Sequence, residues 1–171
     1  TGLTTRENDF VSDLIMTSTH DYLMFFTNTG KVHRIKAYEI PEATRTAKGT
    51  PAINFLNLMQ RERITAVIPF RDFRDDKYLM AVTKNGTIKK TAISQFETNR
   101  KTGLIAINLK DGDELIGIKQ TSGTNNVIIV TKHGKCICFS EDDVRPMGRI
   151  AGGVRAIKLE DDDEVVSMEL V

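Results

Sequence analysis

The sequence predicts an all-β, propeller-like fold of about three four-stranded blades. Three observations predict it: a repeated turn, a repeated glycine-led segment, and short apolar runs with no helical periodicity. The turn is Thr27-Asn28-Thr29-Gly30-Lys31-Val32, which recurs as Thr83-Lys84-Asn85-Gly86-Thr87-Ile88 and as Thr131-Lys132-His133-Gly134-Lys135-Cys136. The second marker joins Gly49 to Ala52-Ile53-Asn54, Gly103 to Ala106-Ile107-Asn108, and Gly153 to Ala156-Ile157-Lys158. Both markers return roughly every 50 residues, a period typical of blades and solenoid repeats. Two independent markers at matching periods make coincidence a poor explanation.

Within a unit, four short strands follow in order. An apolar run (residues 22–26, 78–82 or 127–130) enters the turn, and a second strand leaves it, with glycine supplying the positive φ of a hairpin. A longer loop comes next, as from Tyr38 to Pro51. The Ala-Ile-Asn or Ala-Ile-Lys segment then forms the third strand, and residues 64–68, 115–118 or 165–168 the fourth. Residues 13–18 look like a further copy of the fourth strand ahead of the first complete unit, so strand exchange between neighbours is expected. The units span approximately 19–70, 75–121 and 122–171, within one repeat domain over 1–171. Three blades cannot close a ring, so an arc or a piece of a larger array is expected. The start at Thr1 rather than Met also suggests a chain cut from something larger.

Bulk properties narrow the function classes. Hydrophobic residues make up 40% and charged residues 27%, a folded soluble balance rather than a disordered one. The longest apolar runs, such as residues 127–130, are too short to cross a bilayer, and no signal peptide is visible, so no membrane partner is expected. Cys136 and Cys138, two apart on an apparent strand, are poorly spaced for a mutual disulfide and suit a reducing cytoplasm. Cys136 aligns with Val32 and Ile88, which predicts a packed position. The net charge of +1 and a pI near 7.7 are less basic than a dedicated nucleic-acid binder usually shows.

A case for nucleic acid therefore rests on how the charges are sorted. The hairpins carry Lys31, Arg34 and Lys36 with His33, then Lys84, Lys89 and Lys90, then Lys132 and Lys135, with no Asp or Glu among them. The loops before the second glycine carry Arg45 and Lys48, then Arg100 and Lys101, then Arg145 and Arg149, with Arg155 beyond it. Acidic residues gather before the fourth strand: Glu62, then Asp111, Asp113 and Glu114, then residues 160–164. Equivalent positions in a repeat array fall on equivalent surfaces, so the sorting implies a basic track that could neutralise successive phosphates without reading bases. The competing reading is an ordinary solvated edge whose lysines deter strand pairing. Few aromatic residues accompany the basic ones, which favours duplex contact over single-strand stacking.

Other constellations carry less. His133-x-x-Cys136-x-Cys138 offers three ligands at an unusual spacing and no second cysteine pair, so no metal site is expected. The acidic run 160–164 lacks the spacing and glycine of a calcium loop and reads as a solvated turn. His20 beside Asp21 has no identifiable nucleophile, so no catalytic residues are assigned.

Residues 18–32, Ser18-Thr19-His20-Asp21-Tyr22-Leu23-Met24-Phe25-Phe26 and the turn after them, resemble the first blade of the C-terminal domain of the DNA gyrase A protein. So do Tyr38-Glu39-Ile40-Pro41-Glu42-Ala43 with Arg45 and Lys48-Gly49. The resemblance implies a β-pinwheel, a disc of strand-swapped blades whose basic rim wraps duplex DNA for ATP-driven negative supercoiling by a type II DNA topoisomerase. It further implies as partners the rest of gyrase A, which holds the breaking tyrosine, and gyrase B, which holds the ATPase. It places the chain in the bacterial cytoplasm, associated with the nucleoid. No cofactor is expected in this chain, since ATP and magnesium act elsewhere in the holoenzyme. By the same likeness, phosphate contacts are expected at Arg34, Lys36, Arg45, Lys48, Lys89, Lys90, Arg100, Lys101, Arg149 and Arg155. Charge reversal at Lys89 and Lys90 is then expected to weaken DNA binding and spare the fold.

Two departures bear on that expectation. The family's basic heptad, Gln-Arg-Arg-Gly-Gly-(Lys/Arg)-Gly, has no match here, and Thr1-Gly2-Leu3 looks like the stretch directly after it. The family also has about six such blades. The topoisomerase IV counterpart shares the fold and often lacks the heptad, which makes it a close rival. From another class, a propeller-like protein-interaction platform without DNA binding is the alternative. An enzyme with a site in the array channel is disfavoured, because three repeats offer no convergent catalytic set.

Overall fold

In the computed structural model, which describes residues 22–36, 62–70, 77–97 and 103–171, each recurring turn closes an antiparallel hairpin. The strands in chain order are β1 (Tyr22–Thr27), β2 (Lys31–Lys36), β3 (Ile64–Phe70), β4 (Tyr78–Thr83), β5 (Thr87–Ala92) and β6 (Leu104–Ile105). They continue with β7 (Leu115–Thr121), β8 (Asn126–Thr131), β9 (Cys136–Ser140), β10 (Val154–Arg155) and β11 (Val165–Leu170). Helical geometry among the described residues is confined to short 3-10 turns, Ile93–Phe96 and Glu141–Asp143.

The turns share one local chemistry. The glycine N–H donates to the threonine carbonyl, Gly30 to Thr27 at 3.1 Å, Gly86 to Thr83 at 3.1 Å and Gly134 to Thr131 at 3.0 Å. The threonine hydroxyl then accepts the N–H four residues on, from Thr87 at 3.1 Å and Lys135 at 3.0 Å. This is why Thr-x-x-Gly repeats: its two ends close a hairpin without help from the rest of the fold.

Sheet order shows which strand is exchanged. The first sheet runs β3-β1-β2-β6 and the second β10-β5-β4-β7, while the third holds β11-β8-β9. The fourth strand of each unit stays with its own hairpin, and in the second and third units the third strand crosses to the hairpin of the unit before. Thus Val32 pairs with Leu104 and Ile88 with Val154. The sequence places the third strand on Ala-Ile-Asn, but the ladder lies just ahead of it, at Leu104–Ile105 and Val154–Arg155. The alanine and isoleucine amides turn instead onto one acceptor. Gly30 O takes Ala106 N at 2.7 Å and Ile107 N at 3.2 Å; Gly86 O takes Ala156 N at 2.7 Å and Ile157 N at 3.4 Å. The copy of the fourth strand expected at residues 13–18, the loop 38–51 and the segment 52–54 lie outside the described residues.

Among the described residues, two cores lie between consecutive sheets. Met24, Phe26, Leu79, Ala81, Leu104, Ile107 and Leu115 pack between the first and second sheets. Met80, Val82, Ile88, Val127, Ile129, Ile157 and Val165 pack between the second and third. Alternate residues of β4 feed the two cores, so its apolar run is buried on both faces, as the continuous pattern suggests. The equally apolar β8 alternates buried and half-buried residues. Cys136 does not occupy the packed position expected of it: both cysteines are exposed. Val32 and Ile88 are covered by strands of the next unit, whereas among the described residues no strand flanks the outer edge of β9.

The turn glycine tolerates no side chain at the joint. A Cβ on Gly86, at φ +91°, would meet Ile157 O at 2.8 Å, whereas one on Gly112, at φ +79°, meets nothing within 4 Å. Gly112→Ala is expected to cost only the left-handed backbone strain, about 1–3 kcal/mol, and Gly86→Ala distinctly more. Urea denaturation of the two variants compares them directly, and equal losses would show that the joint does not depend on this approach.

Candidate nucleic-acid interface

A cationic loop leads into β10, the edge strand of the second sheet. The segment 145–153 leads from the 3-10 turn at Glu141–Asp143 into β10 and carries Arg145, Arg149 and Ile150. Met147 N donates to Lys90 O at 2.7 Å and Ala151 N to Gly148 O at 3.1 Å, which folds the loop back on β5. Arg149 is half-buried and its Nη1 donates to Ile105 O at 2.8 Å, linking the loop to β6. Arg145 and Arg155 are exposed, and Ile150 is 63% exposed at the loop tip.

Burial divides the other expected contacts. Lys89 is 1% exposed. Its Nζ donates to the carbonyls of Ala106, Arg149 (2.5 Å), Ala151 (3.2 Å) and Gly148 (3.4 Å). Burial, and then the neighbouring Arg149 charge, lower this ammonium from 10.5 to about 8. Lys90, 6% exposed, lies over the Tyr78 ring at 4.8 Å and faces Glu141 Oε2 at 3.5 Å. Arg34, 9% exposed, donates from Nη1 to Phe96 O at 3.1 Å and lies 5.8 Å from the Tyr22 ring centroid. Lys36 is half-buried, 5.3 Å from the same centroid.

Lys89, Lys90 and Arg34 are therefore internal joints in this structure, not residues presented to a phosphate. Reversing Lys89 and Lys90 would place two carboxylates inside the protein, so the expectation that the fold is spared does not hold. Arg45, Lys48, Arg100 and Lys101 lie outside the described residues. Of the ten, Arg155 is exposed on the edge strand β10, while Arg149 in the loop before it and Lys36 on β2 are half-buried.

The acidic residues also have local tasks. Asp113 Oδ1 accepts Asn85 N at 3.0 Å, and Asp163 Oδ1 accepts His133 N at 3.0 Å, each tying a hairpin turn to the approach of its fourth strand. In the first unit Glu62 Oε2 takes the Thr29 hydroxyl at 2.7 Å. Between units, Arg63 meets Glu114 and Lys84 meets Glu164, both at 3.6 Å. Arg63 and Lys84 thus face carboxylates, whereas Arg145 and Arg155, beside the loop that feeds β10, are exposed. Among the described residues no group of three or more His, Cys, Asp or Glu is placed to hold a metal ion.

Sequence reasoning names the position three residues after the turn glycine but misses its role in joining units. His33 Nδ1 accepts Gly103 N–H at 3.2 Å, and Lys89 reaches the loop of the third unit, so both fasten the next unit along. The pairs His33-Arg34 and Lys89-Lys90, each on a strand opposite Tyr22 or Tyr78, are the available signal.

Comparison with known proteins places the chain among topoisomerase domains. Residues 21–71, 77–122 and 125–171 each match the family described as DNA gyrase C-terminal domain, beta-propeller. The DNA gyrase A protein of Clostridium acetobutylicum is 50% identical over 154 residues, which is 90% of this chain and 19% of that protein. The chain thus spans about a fifth of the length of the curated relatives it matches. The crystal structure of the C-terminal domain of DNA topoisomerase IV superposes with a TM-score of 0.83 at 32% identity, covering 90% of this chain and 48% of that one. The structure of the DNA gyrase A C-terminal domain gives 0.71 at 31% identity, covering 91% and 49%.

The Lys90–Glu141 pair is the most deeply buried ion pair at a described joint, with Glu141 fully enclosed. Burial alone would raise the Glu141 carboxyl, but the Asn125 N–H at 2.7 Å and the Lys90 charge contribute to holding it below its ordinary value. Lys90→Met strands this carboxylate and is expected to cost about 3–5 kcal/mol, with Glu141→Gln in the same chain restoring part of the loss. A depressed carboxyl stabilises above its unfolded value and loses that effect as pH falls through the folded one. Glu141→Gln alone should therefore approach the unmodified chain in stability as pH drops below the ordinary glutamate range. Urea midpoints across pH read both effects; additive costs, or a gap that widens in acid, would contradict the pairing.

Proposed function

The chain belongs to the DNA gyrase C-terminal domain family, and from that premise we propose that it is a non-catalytic module that binds duplex DNA and wraps it along the outer edge of the blade array. The observation that carries this reading is the gathering of Arg145, Arg149 and Arg155 on one loop-and-strand segment beside exchanged strands. Arginines on a repeated convex edge neutralise phosphates without reading bases, and the contacts offset the elastic cost of bending the duplex. In the holoenzyme such wrapping supports ATP-dependent negative supercoiling. Gyrase B supplies the ATPase and the rest of gyrase A the strand cleavage, with ATP and magnesium acting there. The setting is the bacterial cytoplasm, at the nucleoid.

One observation favours a second reading, a protein-interaction platform. Ile105, Ile150 and Val154 are exposed near the same arginines and would suit an apolar partner. Salt separates the two. Fluorescence anisotropy with two unrelated duplexes should show equal affinities that fall steeply with salt, as counterion release requires. Arg145→Glu with Arg155→Glu should lower the salt slope by about 2 and leave the unfolding midpoint unchanged. Absence of binding, or binding indifferent to salt and to both substitutions, would favour the platform.

A further inference from the structure

Lys89 sits where a lysine is least expected, enclosed on a strand of the central sheet, and its surroundings are a cluster of carbonyls. Gly148, Arg149 and Ala151 contribute three of them, all from the exposed loop that carries the outer arginines. Ala106, from the exchanged segment of the second unit, contributes another. Carbonyl dipoles turned toward one point repel each other unless a cation occupies it, and a loop of this length has few bonds of its own. The equivalent strand position holds His33 in the first unit and Ile137 in the third, so the ammonium is a feature of this joint alone among the three hairpins.

We propose that Lys89 is a positioning residue for DNA binding: from inside the protein it fixes the loop 148–151 and so aims Arg149, and the approach to Arg155, at the duplex. The proposal rests on the DNA reading above and replaces the direct phosphate contact that the sequence suggests for Lys89. Its cation does not meet DNA; the loop it anchors does.

The test is a double-mutant cycle read by anisotropy on the full 171-residue chain. Lys89→Met, close in volume and uncharged, should weaken duplex binding about tenfold. Arg149→Gln should weaken the unmodified chain but cost much less once Lys89 is gone, because the released loop no longer aims Arg149. Strictly additive losses would indicate an independent phosphate contact and overturn the proposal, as would unchanged affinity in Lys89→Met. If Lys89→Met does not fold, the unmodified chain still decides through the NMR signal of the Lys89 ammonium. A signal that stays put on addition of duplex while the amides of 148–151 shift supports positioning; a shift of the ammonium as large as theirs overturns it. Should the unmodified chain bind no duplex, the DNA reading falls by itself. Amide hydrogen exchange at 148–151 then scores the anchor separately: faster exchange in Lys89→Met supports it and equal exchange overturns it.

Discussion

The carbonyl oxygen of each turn glycine is the point on which the array turns. Gly30 O and Gly86 O each accept two successive amides from the next unit, with the shorter bond at 2.7 Å in both cases. That double contact requires the chain to come within 3 Å of where a side chain would stand, and it forces the exchanged segment to leave the ladder after two residues. The crossing of the third strand, the stacking of consecutive sheets and the two cores between them all depend on it. A hairpin with one further strand would be marginal alone; the neighbour's strand completes the first two sheets and closes their cores.

Much of this is legible in the sequence, and the rest is hidden for physical reasons. The hairpins are readable because Thr-x-x-Gly closes locally, and the first and fourth strands because β4, β7 and their equivalents carry apolar runs. The third strand is misplaced onto Ala-Ile-Asn because its ladder is only two residues long, too short for any alternation to register. Lys89 and Lys90 read as surface residues because adjacent lysines almost always are. Their burial comes from the sheet being covered on both faces, which is a property of the stack rather than of the strand. Cys136 fails in the opposite sense, aligned with two buried residues but, among the described residues, with no flanking strand to bury it.

The same division explains how a chain of net charge +1 can suit a polyanion. Part of the cationic complement is engaged inside or between units, on carbonyls, on tyrosine rings, on Glu141 and on the carboxylates that precede the fourth strands. Among the described residues the exposed arginines are Arg63, which faces Glu114, and Arg145 and Arg155, which flank the loop that feeds an exchanged strand. Bulk charge is therefore a poor guide, since affinity for phosphate depends on the exposed fraction and its arrangement. On the proposed reading, the joint that builds the fold also places the surface offered to DNA, so stability and recognition share one set of contacts.

Native-state hydrogen exchange at Ala106, Ile107, Ala156 and Ile157 tests the central role of the glycine joint most directly, because these amides make the contact between units. If the joint holds the array together, all four should exchange only through the opening that exposes the strand amides of β4, with the same free energy and the same dependence on denaturant. If they exchange at much lower free energy while β4 stays protected, the units are held by their cores alone. The glycine carbonyl would then be an incidental acceptor rather than the constraint on which the rest depends.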